Sequence, residues 1–145
     1  MQPRRHSIGN ANLNVTICAT HAWISVGEDG GSHQTVEDIA LMRSVPNMTV
    51  IVPSDGISTR QALFQLYQHD GPAYLRLGRP AVPQVHDPEL DFAIGRAVEL
   101  RKGKDLSLMA CGIMVSKALQ AAEIRAGEGT EVSVVDILRI YPLVK

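Results

Sequence analysis

The sequence predicts an α/β protein whose strands run parallel. Short apolar runs rich in β-branched residues recur along the chain, and helical patterns separate them. Gly, Pro, Asn or Asp marks the joins between them. Alternation of this kind favours parallel sheets with helices packed on their faces.

In chain order, Val15-Thr16-Ile17-Cys18 reads as the first strand. A glycine-rich loop follows, then a helix whose start is expected at Thr35, with Asp38 completing a capping-box-like pair and Val36, Ile39 and Ala40 on one face. That helix must stop by Val45, because Pro46 disfavours helical geometry in the residue before it. Thr49-Val50-Ile51-Val52 is the second strand. Thr59, Ala62, Leu63, Leu66 and Tyr67 repeat at helical spacing, and Gly71-Pro72 closes that helix. Ala73-Tyr74-Leu75-Arg76-Leu77 is the third strand. Further on, the strands of residues 106–111 and 132–135 flank a helix carrying Val115, Ala118, Leu119 and Ala122 and ending near Gly127.

Residues 79–91 break the rhythm with Pro80, Pro83 and Pro88 and no periodicity. A structureless proline-rich loop of that length is uncommon inside a compact domain, which favours a linker between two domains. The expected division is 1–80, a linker at 81–91, and 92–145. The second part offers about three strands and one helix, too few for a usual doubly wound sheet. The first part opens on a strand without its preceding partners, so both ends read as cut.

Composition bounds the function. The chain has 145 residues, 45% of them hydrophobic, and a formal net charge of −1. That balance gives no electrostatic reason to expect nucleic acid or an anionic membrane, and Arg4-Arg5-His6 is too short to change this. No apolar run approaches a membrane span or a signal peptide. Cys18 and Cys111 fall in predicted strands and read as core thiols of a cytoplasmic protein.

The chemistry concentrates in residues 20–34, where two histidines, two adjacent acids and three glycines join a strand to a helix. Such connections are favoured places for binding groups. His21 follows the first strand and Arg79 the third, at the ends where open sheets bind ligands. If those strands are neighbours, imidazole and guanidinium form an anion pocket, since Arg offers a fork of donors matched to phosphate oxygens. A structural histidine and a surface cation are the plain alternatives. Glu28-Asp29-Gly30-Gly31 is ordinary turn chemistry, although a turn does not need two consecutive acids, and one carboxylate can accept a substrate hydroxyl. His33 precedes the expected helix start, whose positive end favours a neutral imidazole that both donates and accepts; merely capping that helix is an equal reading by position. Trp23, the single tryptophan, reads as a core or interface anchor. No metal-ligand spacing, serine-nucleophile elbow or phosphate-binding glycine fingerprint is present.

Thr20-His21, Gly27-Glu28-Asp29-Gly30, His33-Gln34, Asp38-Ile39-Ala40-Leu41-Met42-Arg43 and Val45-Pro46-Asn47-Met48 together resemble the transketolase family. Val52-Pro53-Ser54-Asp55, Gly71-Pro72-Ala73-Tyr74, Arg76-Leu77-Gly78-Arg79 and Ile94-Gly95-Arg96-Ala97 extend the likeness over nearly the whole chain. The likeness is strongest to the C-terminal subunits of split transketolases. It implies the later half of a pyrimidine-binding domain followed by the start of a transketolase C-terminal domain.

The resemblance further implies a transferase that moves a two-carbon ketol unit from a ketose phosphate to an aldose phosphate in carbohydrate metabolism. His21 and Arg79 match residues that hold the sugar's distal phosphate, Asp29 one that bonds a substrate hydroxyl, and His33 one that bonds the ketol end. Thiamine diphosphate and Mg2+ are the implied cofactors, held mainly by segments outside this sequence, and no cofactor-binding residue is assigned within it. The implied partner is a diphosphate-binding subunit, in a homodimer or heterotetramer, and the chain alone is expected to be inactive. Trp23 departs from the family, which usually has a small residue there. Two other readings stand beside this one: a deoxyxylulose-phosphate-synthase-like enzyme, against which Thr20-His21 argues, and a non-catalytic partner subunit.

Overall fold

The computed structural model describes residues 4–89 and 91–143, with Arg4 and Asp29 described by their backbone alone. Two sheets organise it. The first contains β1 (Thr16–Ala19), β2 (Thr49–Ile51), β3 (Ala73–Arg76) and β7 (Arg139–Tyr141), in the order β1-β3-β2-β7. β1, β3 and β2 are parallel, and β7 joins β2 antiparallel. The second contains β4 (Val98–Arg101), β5 (Leu106–Ala110) and β6 (Val132–Asp136), in the order β4-β6-β5, with β5 parallel and β4 antiparallel to β6.

The mixed α/β architecture agrees with the sequence, but the sheets are not wholly parallel. β4 and β7 carry weak apolar patterns, Val-Glu-Leu-Arg and Arg-Ile-Tyr, and both pair antiparallel. β7 also crosses the expected division, leaving the second part of the chain to complete the first sheet.

Helices α1 (Asp38–Arg43) and α2 (Gly56–Tyr67) serve the first sheet. Ile51, Ala73 and Leu75 pack with Ala62 and Leu66 of α2, and Phe92 and Leu138 enter the same cluster from the second part. Val50, Val52 and Tyr74 meet Met42, Val45 and Met48 in the other cluster. β2 and β3 are therefore covered on both faces, which explains why they read as continuous apolar runs rather than alternating ones. Helix α3 (Met114–Gly127) covers the second sheet through Ala118, Leu119 and Ala122 against Leu108, Val132 and Val134, the face its spacing predicted.

Three expectations are corrected. α1 begins at Asp38, not Thr35, and has no side-chain cap; Val36 is exposed and precedes the helix. Asp38, expected as a capping residue, is buried and bonded to β3. On α2, Ala62 and Leu66 are buried as expected, whereas Leu63 and Tyr67 face solvent. Cys18 is exposed because β1 is the sheet edge, and Cys111 is half-buried.

Residues 81–89 contain no helix or strand, yet they are a packed strap rather than a bare tether. His86 is fully buried, and its N–H and that of Val85 both donate to Asp55 Oδ2 at 2.9 Å. Further along, the Gln65 amide of α2 donates to the Phe92 carbonyl and accepts the Ile94 N–H at 2.7 Å.

Candidate functional site at the carboxyl ends of β1 and β3

β1 lies beside β3 in register, with Ala19 opposite Arg76. The ladder continues beyond both strands: Leu77 N–H donates to the Ala19 carbonyl at 2.8 Å, and Ala22 N–H donates to the Leu77 carbonyl at 3.2 Å. His21 and Arg79 therefore follow adjacent strand ends, and both side chains are exposed. His21 has a left-handed backbone (φ +65°), and its Nδ1 lies 2.8 Å from Thr20 Oγ1.

The chain then leaves the sheet through a neck. Trp23 N–H donates to the Thr35 carbonyl at 2.9 Å, an isolated antiparallel bridge that closes residues 24–34 into a loop. Within it, Gly27–Asp29 and Gly31–His33 form two tight turns joined at Gly30. Gly27 (φ +71°) and Gly30 (φ +73°) have open space where a Cβ would stand, so glycine serves backbone conformation here rather than packing. His33 is exposed, with Nδ1 3.1 Å from Ser32 Oγ. The Asp29 side chain lies outside the described residues.

His33 lies five residues before α1, not against its first turn. The expected helix-terminus influence on this imidazole therefore does not apply, because that influence fades within one turn.

Sequence reasoning missed the rigid support beneath the loop. Arg76 at the end of β3 is buried and binds Asp38 twice, Nε to Oδ2 at 2.6 Å and Nη2 to Oδ1 at 2.9 Å. Tyr74 donates its hydroxyl to Asp38 Oδ2 at 2.8 Å. Burial alone would raise the Asp38 carboxyl, but hydrogen bonds from Arg76 and Tyr74 and the guanidinium charge outweigh it, and the net shift is downward. An arginine within a strand buried on both faces signals that a carboxylate partner is needed, though not which residue supplies it.

A second buried cluster lies beyond the carboxyl ends of β2 and β6. The His86 ring sits between two acids, Nδ1 3.3 Å from Asp55 Oδ2 and Nε2 3.3 Å from Asp136 Oδ2. These are close contacts without hydrogen-bond alignment. Asp55 caps α2 in a reciprocal box with Ser58. Burial would raise its carboxyl, but N–H groups of Ser58, His86 and Val85 and the Ser58 hydroxyl hold it down at about 2. Asp136, at the end of β6, is pushed up to about 7, first by burial and then by the Asp55 charge, despite a hydrogen bond from Ser54.

Beside the strand ends a cavity of roughly 850 Å³ runs between Thr20, Trp23, Leu77 and Gly78 on one side and Met109 and Met114 on the other. Its lining is mainly apolar and does not include His21, His33 or Arg79. Thr20 and Gly78, the chain neighbours of His21 and Arg79, do line it, as do Asp55 and Arg76.

Residues 1–84 match the transketolase pyrimidine-binding domain, and residues 95–145 match the transketolase C-terminal domain. The chain belongs to the transketolase family. It is 40% identical to a putative transketolase C-terminal section from Methanocaldococcus jannaschii over 141 residues, 96% of this chain and 45% of the relative. A solved split-gene transketolase, described as an inactive beta4 tetramer, superposes with a TM-score of 0.88 at 45% identity, covering 97% of this chain and 45% of that one. Transketolase from Pichia stipitis in complex with sedoheptulose-7-phosphate gives a TM-score of 0.78 at 29% identity, covering 90% of this chain and 20% of that one. The chain thus spans less than half the length of these transketolase relatives.

Proposed function

We propose that this chain supplies the sugar-phosphate-binding part of a split transketolase, acting with a diphosphate-binding partner subunit. His21 and Arg79 grip the distal phosphate of the sugar. Asp29 accepts a hydrogen bond from a substrate hydroxyl, and His33 hydrogen-bonds the ketol end. The observation that carries this reading is the pairing of β1 with β3, which brings the segments bearing an imidazole and a guanidinium past adjacent strand ends.

Among the described residues no three His, Cys, Asp or Glu side chains converge as a metal site, and this reading assigns the metal and the diphosphate to the partner subunit. Thiamine diphosphate, when bound in the complete assembly, supplies the carbanion chemistry that breaks and remakes the carbon–carbon bond. This chain's residues bind and orient. Contacts to a phosphate far from the reacting bond use remote binding to align the reactive end. A donor such as His33, aimed where charge develops, contributes about 2.7–4 kcal/mol by comparison with oxyanion-hole donors.

The test is reconstitution. The chain, a diphosphate-binding transketolase subunit, thiamine diphosphate and Mg2+ are mixed, and ketol transfer from a ketose phosphate to an aldose phosphate is followed. Transfer is expected from the mixture and not from the chain alone. A stable complex of both subunits without transfer overturns the catalytic reading. Turnover by the chain with cofactors and no partner overturns the division of labour.

A further inference from the structure

We propose that Trp23 is a positioning residue: stacked on the buried Arg76–Asp38 pair, its indole pins the neck of the loop that carries Asp29 and His33. The backbone states the problem. Trp23 has φ +84°, a region that glycine occupies freely and a bulky aromatic does not. Such a conformation persists only where its surroundings over-determine it.

Those surroundings are on hand. The Trp23 ring lies under the Arg76 guanidinium, 4.9 Å from it to the centroid. A planar guanidinium suits this stack, because it attracts the ring face while its edge stays bonded elsewhere. Here the edge holds Asp38, and Nη2 also donates to the Thr35 carbonyl at 3.3 Å. That carbonyl is the one that accepts Trp23 N–H. Arg76 therefore reaches both sides of the neck, the indole on one and the Thr35 backbone on the other.

The consequence is positional. His21 lies two residues before Trp23 and His33 two before Thr35, so the neck sets the separation of the two imidazole-bearing arms. The bonds within the loop, from Gly30, His33 and Gln34 N–H to carbonyls three residues earlier, are local and do not anchor it to the sheet. The stack on Arg76 ties the neck to β3 from one side, and the Arg76 bond to the Thr35 carbonyl from the other.

This device opposes stability to function. Trp23→Gly relieves the backbone strain while removing the pin. Trp23→Phe keeps an aromatic face for Arg76. In the full chain, hydrogen exchange at the Gly30, His33 and Gln34 amides should quicken at least 10-fold in Trp23→Gly, with Tm unchanged or raised, and stay near wild type in Trp23→Phe. Because Trp23 is the only tryptophan, its emission anisotropy in the wild type reads the pin directly, and an immobile indole is expected. In the reconstituted enzyme, Trp23→Gly should lower kcat with little change in KM, and Phe should restore it. Unchanged exchange in Trp23→Gly, a freely rotating wild-type indole, or Phe no better than Gly overturns the proposal. The kinetic arm rests on the proposed function. A wild-type assembly without ketol transfer would overturn that function alone, and exchange and anisotropy would still decide the role of Trp23.

Discussion

Asp136→Asn should make the chain more stable at neutral pH and remove most of its pH dependence above pH 4. In the folded chain the Asp136 carboxyl is held up at about 7, against an ordinary value of 3.8. Between those limits the folded state keeps a proton that the unfolded state releases. Stability is therefore fully present below about pH 4 and lost as pH rises through about 7. A separation of roughly three pH units, at about 1.4 kcal/mol per unit, sets an upper figure on the order of 4 kcal/mol. Asparagine is neutral throughout, and its side-chain oxygen still accepts the Ser54 hydroxyl. Variant and wild type should thus coincide near pH 4 and diverge toward pH 8, with the variant higher. The Asp55 carboxyl, held at about 2, acts in the opposite window: its contribution is present above 3.8 and is lost as pH falls. Wild-type stability should accordingly rise from pH 2 to 4 and then decline. Urea unfolding at half-unit steps from pH 2 to 8.5 measures both limbs. Parallel curves for variant and wild type between pH 4.5 and 7.5 would refute the assignment, as would a carbon-13 titration placing the Asp136 carboxyl near 4.

Other perturbations test the remaining structure. Asp38→Ala leaves Arg76 buried without its carboxylate and should cost about 3–5 kcal/mol in chemical denaturation; a loss below 1 kcal/mol would show the pair to be solvated. Leu138→Ala empties a fully buried position shared by both parts of the chain, and should cost about 2–5 kcal/mol in a single cooperative transition. Two separated transitions would mean that the parts unfold independently. Arg79→Ala, made in the reconstituted enzyme, should lower kcat/KM for phosphorylated sugars far more than for their unphosphorylated analogues. Equal losses for both would remove the phosphate role.

What was legible in the sequence follows from how each element is stabilised. β2 and β3, covered on both faces, had to be apolar throughout, and α3 buries one face of one sheet; those patterns speak for themselves. β4 and β7 did not announce themselves because each takes its order from a partner strand, leaving Glu99 and Arg139 inside segments with no clean alternation. The start of α1 was misread because Asp38 has the right type for a cap, whereas its energy comes from Arg76, distant in sequence. Local grammar cannot report a partner 38 residues away. In the segment 81–89 the prolines and lack of period were visible, but the buried place of His86 between Asp55 and Asp136 was not.

The candidate site divides along the same line. Its chemistry was readable because histidines and acids beside glycines in one short loop are costly to explain as packing, and because the motifs match a family. Its support was not, since it lies in Asp38, Tyr74 and Arg76, on a helix and strand away from the loop. Physically the two halves need each other. Exposed imidazoles on a glycine-rich loop have little intrinsic order, and a hydrogen bond aimed within half an ångström requires its carrier to be held by packed elements. The ion pair in the core offers that rigidity at low mobility, and Trp23 is the side chain that links it to the loop. A strained aromatic at a position where glycine would relax the backbone is therefore best understood as the joint between a stable scaffold and a site that must not drift.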